Sequence, residues 1–337
     1  MIDLVEAVYD LEVKPADWLP NVIEAGAPLL DHGLGLLAIS CTRPPEPGPL
    51  AIDGLYVSPG AREYVDGMVR LQTEVDLGLL WPLSRPGIPK TLSEVTDAHD
   101  PGAFQTIMRY FEFAKDGLGI HGFDPNGRGV FLIAGLPEVM TLSARARERW
   151  HMLAAHLSAG YRLRRALETH AAKDSPETQL PFGAEIVIDP SDFSVSDAAG
   201  QAQSRPALAS LRQTARDIDW ARGAMRESDP EKALELWRAL VRGRWSTVDW
   251  FDSDGRRYVL GIPNAPDALD PRGLTDRELQ VVSYVFYGLT NKMVAYNLGI
   301  SKGRVSTVLH SAMRKLGVST RAQLIKKLKD FGAITGA

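Results

Sequence analysis

The sequence predicts an α+β fold class: antiparallel sheets with helices against them in the first part, then an all-α module of four helices. Three observations predict it. Short apolar runs without helical period interleave with segments of 3.6-residue spacing up to residue 264. From residue 274 only helical spacing remains, punctuated by helix-start residues and glycines. The charge is divided as well. Residues 273–337 hold ten Lys and Arg against three Asp and Glu, a net of +7, leaving −11 for the rest of a chain whose total is −4. A small basic module on a large acidic body points to a polyanionic partner for the module, nucleic acid first.

At 337 residues there is room for two or three cores. No run of about 18 apolar residues occurs, so no membrane-spanning helix and no membrane partner are expected. The opening MIDLVEAVYDLEVK is acidic and unlike a secretory signal, and a cytoplasmic location is the expectation. Cys41 is the single cysteine, which excludes an intrachain disulfide and a cysteine-rich zinc site. No cofactor and no metal are expected.

In chain order, Leu4, Val5, Val8 and Tyr9 have helical spacing, and Trp18, Leu19, Val22, Ile23 and Leu29 repeat it. Gly33 to Thr42 and Leu50 to Val57 read as strands around the break Pro44 to Pro49, and Ala61 to Leu71 as a helix. The Pro/Gly-rich stretch Thr73 to Thr96 carries no assignment. Pro101 to Lys115 suits a helix. Gly117 to Phe123 and Gly129 to Ala134 flank Asp124-Pro125-Asn126-Gly127, a hairpin signal. Ser143 to about Ala172 is a long helix.

Lys173 to Pro181 is a polar linker. A second unit follows, with a strand over Ala184 to Ile188 and a helix over Pro206 to Met225. Ser228 or Asp229 caps another helix with Pro230 at its first position, and two strands then meet at Asp254-Gly255. Pro263 to Arg272 is a second linker. The division expected is 1–172, 182–264 and 273–337.

In the last segment Thr275 and Glu278 form a capping box, and Gly288 ends that helix. Thr290 caps a second helix that ends at Gly299. Ser301 caps a third two residues later, with Val305, Val308 or Leu309, Ala312 and Leu316 inward. Thr320 caps a fourth, with Ala322, Leu324, Ile325 and Leu328 inward. Two helices across a short glycine-containing turn make a helix-turn-helix. The third helix carries small polar groups between flanking cations, a surface that enters a major groove without clash.

LTDRE (274–278), LTNKMVAYNLGIS (289–301) and RKLGVSTRAQL (314–324) resemble the LuxR/GerE-type helix-turn-helix of bacterial transcription regulators. The resemblance implies sequence-specific binding of double-stranded DNA, a homodimer and no enzymatic activity. It places Ser306, Thr307 and His310 at base edges. It places Lys292, Ser301, Lys302, Arg304, Arg314, Lys315 and Arg321 at or near phosphates. Met293 stands where an acidic residue is usual, removing the capping box of the second helix. Ser306 and His310 replace frequent cations and Val308 a frequent His, so the preferred DNA sequence should differ from the family norm. By element order and phrases such as GLGIHGFDPNGRGVFLIAG, residues 1–172 resemble a GAF-type sensor domain, and 182–264 resembles a degenerate PAS-type unit. Such a region would answer to a small-molecule or protein signal. It would control the module by setting dimer geometry or by masking it.

Other readings compete. A charged four-helix module can dock a protein, the N-terminal region can bind a partner regulator without any ligand, and an enzyme can carry a DNA-binding tail. The last lacks a catalytic constellation: Asp97, His99, Asp100 and Asp53 have no paired nucleophile. His151 and His156 stand five residues apart, about 140° round a helix, and do not share a face for a metal. Cys41 reads as core. Lys326, Lys327 and Lys329 are ordinary cations at a helix end.

Overall fold

The computed structural model describes residues 1–44, 48–59, 61, 63–75, 89–97, 101–124, 127–171, 180–237, 245–263, 275–316 and 318–330. The stretches 76–88, 172–179 and 264–274, the turn residues 125–126, and His99 with Asp100 lie outside them, as do parts of the first proline break.

Helices α1 (Ile2–Tyr9) and α2 (Trp18–Leu30) bury Leu4, Val5, Val8, Trp18, Leu19, Val22 and Ile23, as their spacing predicts, whereas Leu29 of the same expected set is exposed. They pack on a five-stranded antiparallel sheet of order β2-β1-β5-β4-β3. Its strands are β1 (Leu36–Thr42), β2 (Ala51–Val57), β3 (Lys90–Thr91), β4 (Asp116–Phe123) and β5 (Arg128–Leu136). The expected hairpin forms, pairing Asp116 with Leu136 through Phe123 with Gly129. Alternation assigns the faces. Leu36, Ala38, Val130, Leu132 and Ala134 join α1 and α2, while Leu37, Ile39 and Cys41 join a cluster with Tyr64 on the other side. Both faces of β1 are covered, so it reads as a continuous apolar run. Burial pushes the Cys41 thiol up to about 12, as befits a core position.

Helices α3 (Glu63–Glu74), α4 (Leu92–Asp97) and α5 (Pro101–Met108) follow. The sequence predicts a helix to Lys115, but α5 stops at Met108. Beyond it, amides of Tyr110, Phe111 and Ala114 bond to carbonyls three residues back, and Lys115 already bonds to Leu136 in the sheet. These turns bring Phe113 and Phe111 to within 4.8 and 6.2 Å of the Tyr64 ring. Tertiary packing overrides the helical pattern.

The long helix α6 (Ala144–Ala171) lies across β4 and β5. Gly122 permits the approach: a Cβ there would sit 2.6 Å from the Ala154 carbonyl. A second antiparallel sheet, of order β7-β6-β9-β8, contains β6 (Ile186–Ile188), β7 (Val195–Ala198), β8 (Trp245–Phe251) and β9 (Arg257–Pro263). Helices α7 (Arg205–Arg222), α8 (Ala224–Ser228) and α9 (Pro230–Trp237) accompany it. Asp229 is the cap of α9, accepting from the Lys232 amide at 3.1 Å. Val187, Val248, Leu260, Ile262 and Trp237 belong to the same buried cluster as α1, α2 and α6. Ion pairs of Arg222 with Glu6 and of Arg226 with Asp3 and Glu6 reinforce that junction.

The last four helices are α10 (Asp276–Phe286), α11 (Asn291–Leu298), α12 (Lys302–Lys315) and α13 (Arg321–Asp330). They enclose a core of their own, from Val281 to Leu328. Val308 and Leu309 are both buried, whereas Ala322 faces solvent and Ile325 is half-buried. Among the described residues no helix is long and apolar enough to cross a membrane.

Candidate nucleic-acid interface

Local capping builds the module. The Thr275 hydroxyl accepts from the Glu278 amide at 3.3 Å, and the Glu278 carboxylate accepts from the Thr275 amide at 2.8 Å. The same buried carboxylate accepts from the Ser311 hydroxyl at 2.7 Å, tying α10 to α12. We expect Thr275→Ala to destabilise the module by about 1 kcal/mol, measurable as a lower denaturation midpoint. At α11 the Thr290 hydroxyl accepts from the Met293 amide at 3.3 Å, and Met293 has no carboxylate to return the bond. Gly299 ends α11 at φ 60, the left-handed conformation that a side chain disfavours. Ser301 then opens α12 by accepting from the Arg304 amide at 3.1 Å.

This turn aims α12 so that Val305, Val308, Leu309, Ala312 and Leu316 go inward. Ser301, Lys302, Arg304, Ser306, Thr307, His310 and Arg314 stay exposed. At about 100° per residue, Ser306, His310 and Thr307 share roughly 100° of arc. Lys302 and Arg314 extend the stripe, and Arg304 flanks it. The side chain of Lys315 lies outside the described residues. Lys292 is exposed on α11 but ion-paired with Glu148 of α6. Arg321 is half-buried: it donates to the Asn291 side chain at 3.1 Å and to the Leu289 carbonyl. Burial lowers its pKa.

The opposite side of the module rests on the body. Tyr296 of α11 donates its hydroxyl proton to the Leu234 carbonyl at 3.2 Å. Its oxygen therefore accepts from His156 Nε2, 2.8 Å away on α6. In the neutral ring Nδ1 then lacks a proton and accepts from the Tyr9 hydroxyl at 3.0 Å. One directional chain thus runs from α1 through α6 to the module. Burial holds His156 neutral, its pKa pushed down to about 3. Tyr284 of α10 is buried too, bonding to Asn297 and to Ser158 of α6, and burial pushes its hydroxyl up to about 12. Beside them a cavity of about 10 Å³, room for one water, is lined by His121, Phe123, His151 and Ala154 of the body and by Tyr284, Tyr287, Leu289 and Asn297 of the module.

Periodicity and capping do not reveal Asn291, Tyr284, Tyr296 or the bridging role of His156. Helical spacing sets both tyrosines off the apolar stripes read from the sequence, Tyr296 on the far side of α11 from Val294, Ala295 and Leu298, and is silent on what they meet. No group of three or more metal-ligating side chains occurs among the described residues.

Comparison with known proteins agrees with this geometry. Residues 272–328 match the family described as bacterial regulatory proteins, luxR family. Among curated proteins, the HTH-type transcriptional regulator MalT of Vibrio campbellii is 24% identical over 105 residues, 31% of this chain and 12% of that protein. The MalT of Vibrio cholerae is 21% identical over 115 residues, 34% of this chain and 13% of its own length. The chain thus spans a small part of these relatives. The crystal structure of Escherichia coli SdiA aligns over 96% of this chain and 94% of its own, at 12% identity and a TM-score of 0.30; so loose a superposition carries no argument. The C-terminal module is a luxR-family helix-turn-helix domain.

Proposed function

We propose that the chain is a cytoplasmic transcription regulator that binds double-stranded DNA sequence-specifically, as a homodimer, and is controlled by residues 1–264. One observation carries the reading: the polar, cation-bordered face of α12 is open to solvent while the module is seated on the body by its other side. Ser306, Thr307 and His310 meet base edges there. Ser301, Lys302, Arg304, Arg314 and Lys315, with Lys292 and Arg321 on the neighbouring helices, serve the phosphates.

The body leaves that face uncovered, so the control we propose is geometric: the body sets where each α12 stands relative to its partner's. The antiparallel sheet with helices against it supports a GAF-like sensory role for 1–172, and the second sheet a PAS-like one for 182–264. A second reading is a ligand-free regulator whose body docks a partner protein: the cavity between α2 and the sheet measures about 10 Å³, too small for a signal molecule.

Footprinting of the full-length chain on DNA upstream of its own gene tests the function. The expected result is two protected half-sites about one helical turn, roughly 34 Å, apart, with binding that weakens steeply between two salt concentrations. Uniform protection without preferred sites would refute sequence-specific regulation.

A further inference from the structure

The hydroxyl of Ser306 is committed by its neighbours. It donates to the Lys302 carbonyl one turn back at 3.1 Å. It also accepts from the Asn291 side-chain nitrogen at 3.1 Å. The orientation of that amide is itself set, because Arg321 donates to its oxygen at 3.1 Å and a guanidinium cannot accept. Arg321 in turn is anchored on the Leu289 carbonyl, at the turn before α11. Three helices therefore converge on one exposed oxygen: α13 holds Arg321, α11 holds Asn291, and α12 presents Ser306. With its proton directed along the helix and one lone pair filled, that oxygen has one lone pair left for the groove.

We infer that Asn291, locked by Arg321, is a positioning residue that presents Ser306 to DNA as a hydrogen-bond acceptor. The base that Ser306 reads accordingly offers an exocyclic amine, N6 of adenine or N4 of cytosine, and not N7 or O6 of guanine or O4 of thymine. A serine hydroxyl left to rotate would serve a donor or an acceptor equally and discriminate poorly. The relay turns it into a reader of one sign, at a position where the family commonly places a cation that reads guanine. This inference rests on the DNA-binding reading above and adds the chemical class of base and the residue that enforces it.

The test uses the full-length chain, its footprinted operator and single-atom changes to the bases. The wild-type protein, Ser306→Ala, Asn291→Ala and the double variant are titrated against operators in which single adenines are replaced by purine, single cytosines by 2-pyrimidinone, or single guanines by 7-deazaguanine. For the wild type, removing the amine in one of the two half-sites should weaken binding about five-fold, the scale of one neutral hydrogen bond. Ser306→Ala, which loses that bond in both half-sites, should bind the unmodified operator about 25-fold more weakly and be indifferent to that amine. Asn291→Ala should lose part of the sensitivity, about two-fold, with an unchanged thermal midpoint, and the double variant should match Ser306→Ala because the two side chains act as one unit. A uniform loss of affinity by Asn291→Ala on every operator would overturn the positioning role. Sensitivity of Ser306 to loss of guanine N7 in place of an amine would overturn the acceptor assignment. A wild-type protein with no sequence preference would instead refute the underlying DNA-binding reading.

Discussion

Reversing Lys302 and Arg304 together to glutamate is expected to lower the affinity of the full-length chain for any DNA by on the order of 100-fold at moderate salt. Both side chains are exposed at the start of α12, on the edges of the Ser306–His310 stripe. Each cation that meets a phosphate releases a counterion, so losing one should reduce the salt slope by about one; glutamate adds repulsion to that loss. Stability should not fall, because neither side chain packs in the module core and glutamate at position 304 completes with Ser301 the kind of capping box that Thr275 and Glu278 form. The Ser301 cap survives as well, since it uses the backbone amide of Arg304. The loss should be alike on operator and on random DNA, unlike the base-specific losses expected at Ser306. Filter binding over a salt series separates the two. An unchanged salt slope would mean that these cations do not face phosphates.

Acid is expected to release the module from the body. In the seated state His156 is neutral between the Tyr9 and Tyr296 hydroxyls, with a pKa near 3. Once Tyr296 leaves, the ring meets water and its pKa rises towards the ordinary value of about 6.5. The sign follows by linkage: a histidine whose pKa is lowered by docking supports the docked state fully above about 6.5, and that support drains away as pH falls towards 3. Below pH 6 the released fraction should grow by up to about ten-fold per pH unit. Carboxylates in general titrate at lower pH, so the informative window is about pH 6.5 to 5. Spin labels at Arg70→Cys and Ala322→Cys, both exposed positions, would report the separation, with Cys41 too buried to react. His156→Gln can accept from Tyr9 and donate to Tyr296 without titrating, and should flatten the response in that window. Parallel curves for the two proteins would show that His156 is not the sensing group.

The parts of the molecule legible in the sequence are those that local chemistry determines. Thr275, Thr290 and Ser301 announce their helices because a cap involves residues three apart, and Gly299 marks its turn because a left-handed conformation favours glycine. The hairpin of β4 and β5 and the length of α6 follow from alternation and period in the same way. Strands β3 and β7 escape because they are short and polar at the sheet edges, with no apolar alternation to betray them. The end of α5 escapes because an aromatic cluster with Tyr64, distant in sequence, decides it. The chain Tyr9–His156–Tyr296 escapes for the strongest reason. Its links join residues 147 and 140 positions apart, and Tyr296 stands on the side of α11 away from Val294, Ala295 and Leu298, where spacing alone would leave it in solvent. The exposed stripe of α12 was legible because it is the complement of a buried one; the lock that Asn291 and Arg321 place on Ser306 was not, because it depends on how three helices meet.

The central claim is that the body holds the module while leaving its reading face free for DNA. Histidine modification by diethylpyrocarbonate on the full-length chain near pH 7, mapped by mass spectrometry with and without operator DNA, tests it most directly. His310 is exposed on α12 and His156 is fully buried at the seam. The account predicts that His310 reacts in the free protein and is protected by operator DNA, while His156 stays unreactive in both. A His310 already protected in the free chain, or one left unprotected on the operator, would contradict it.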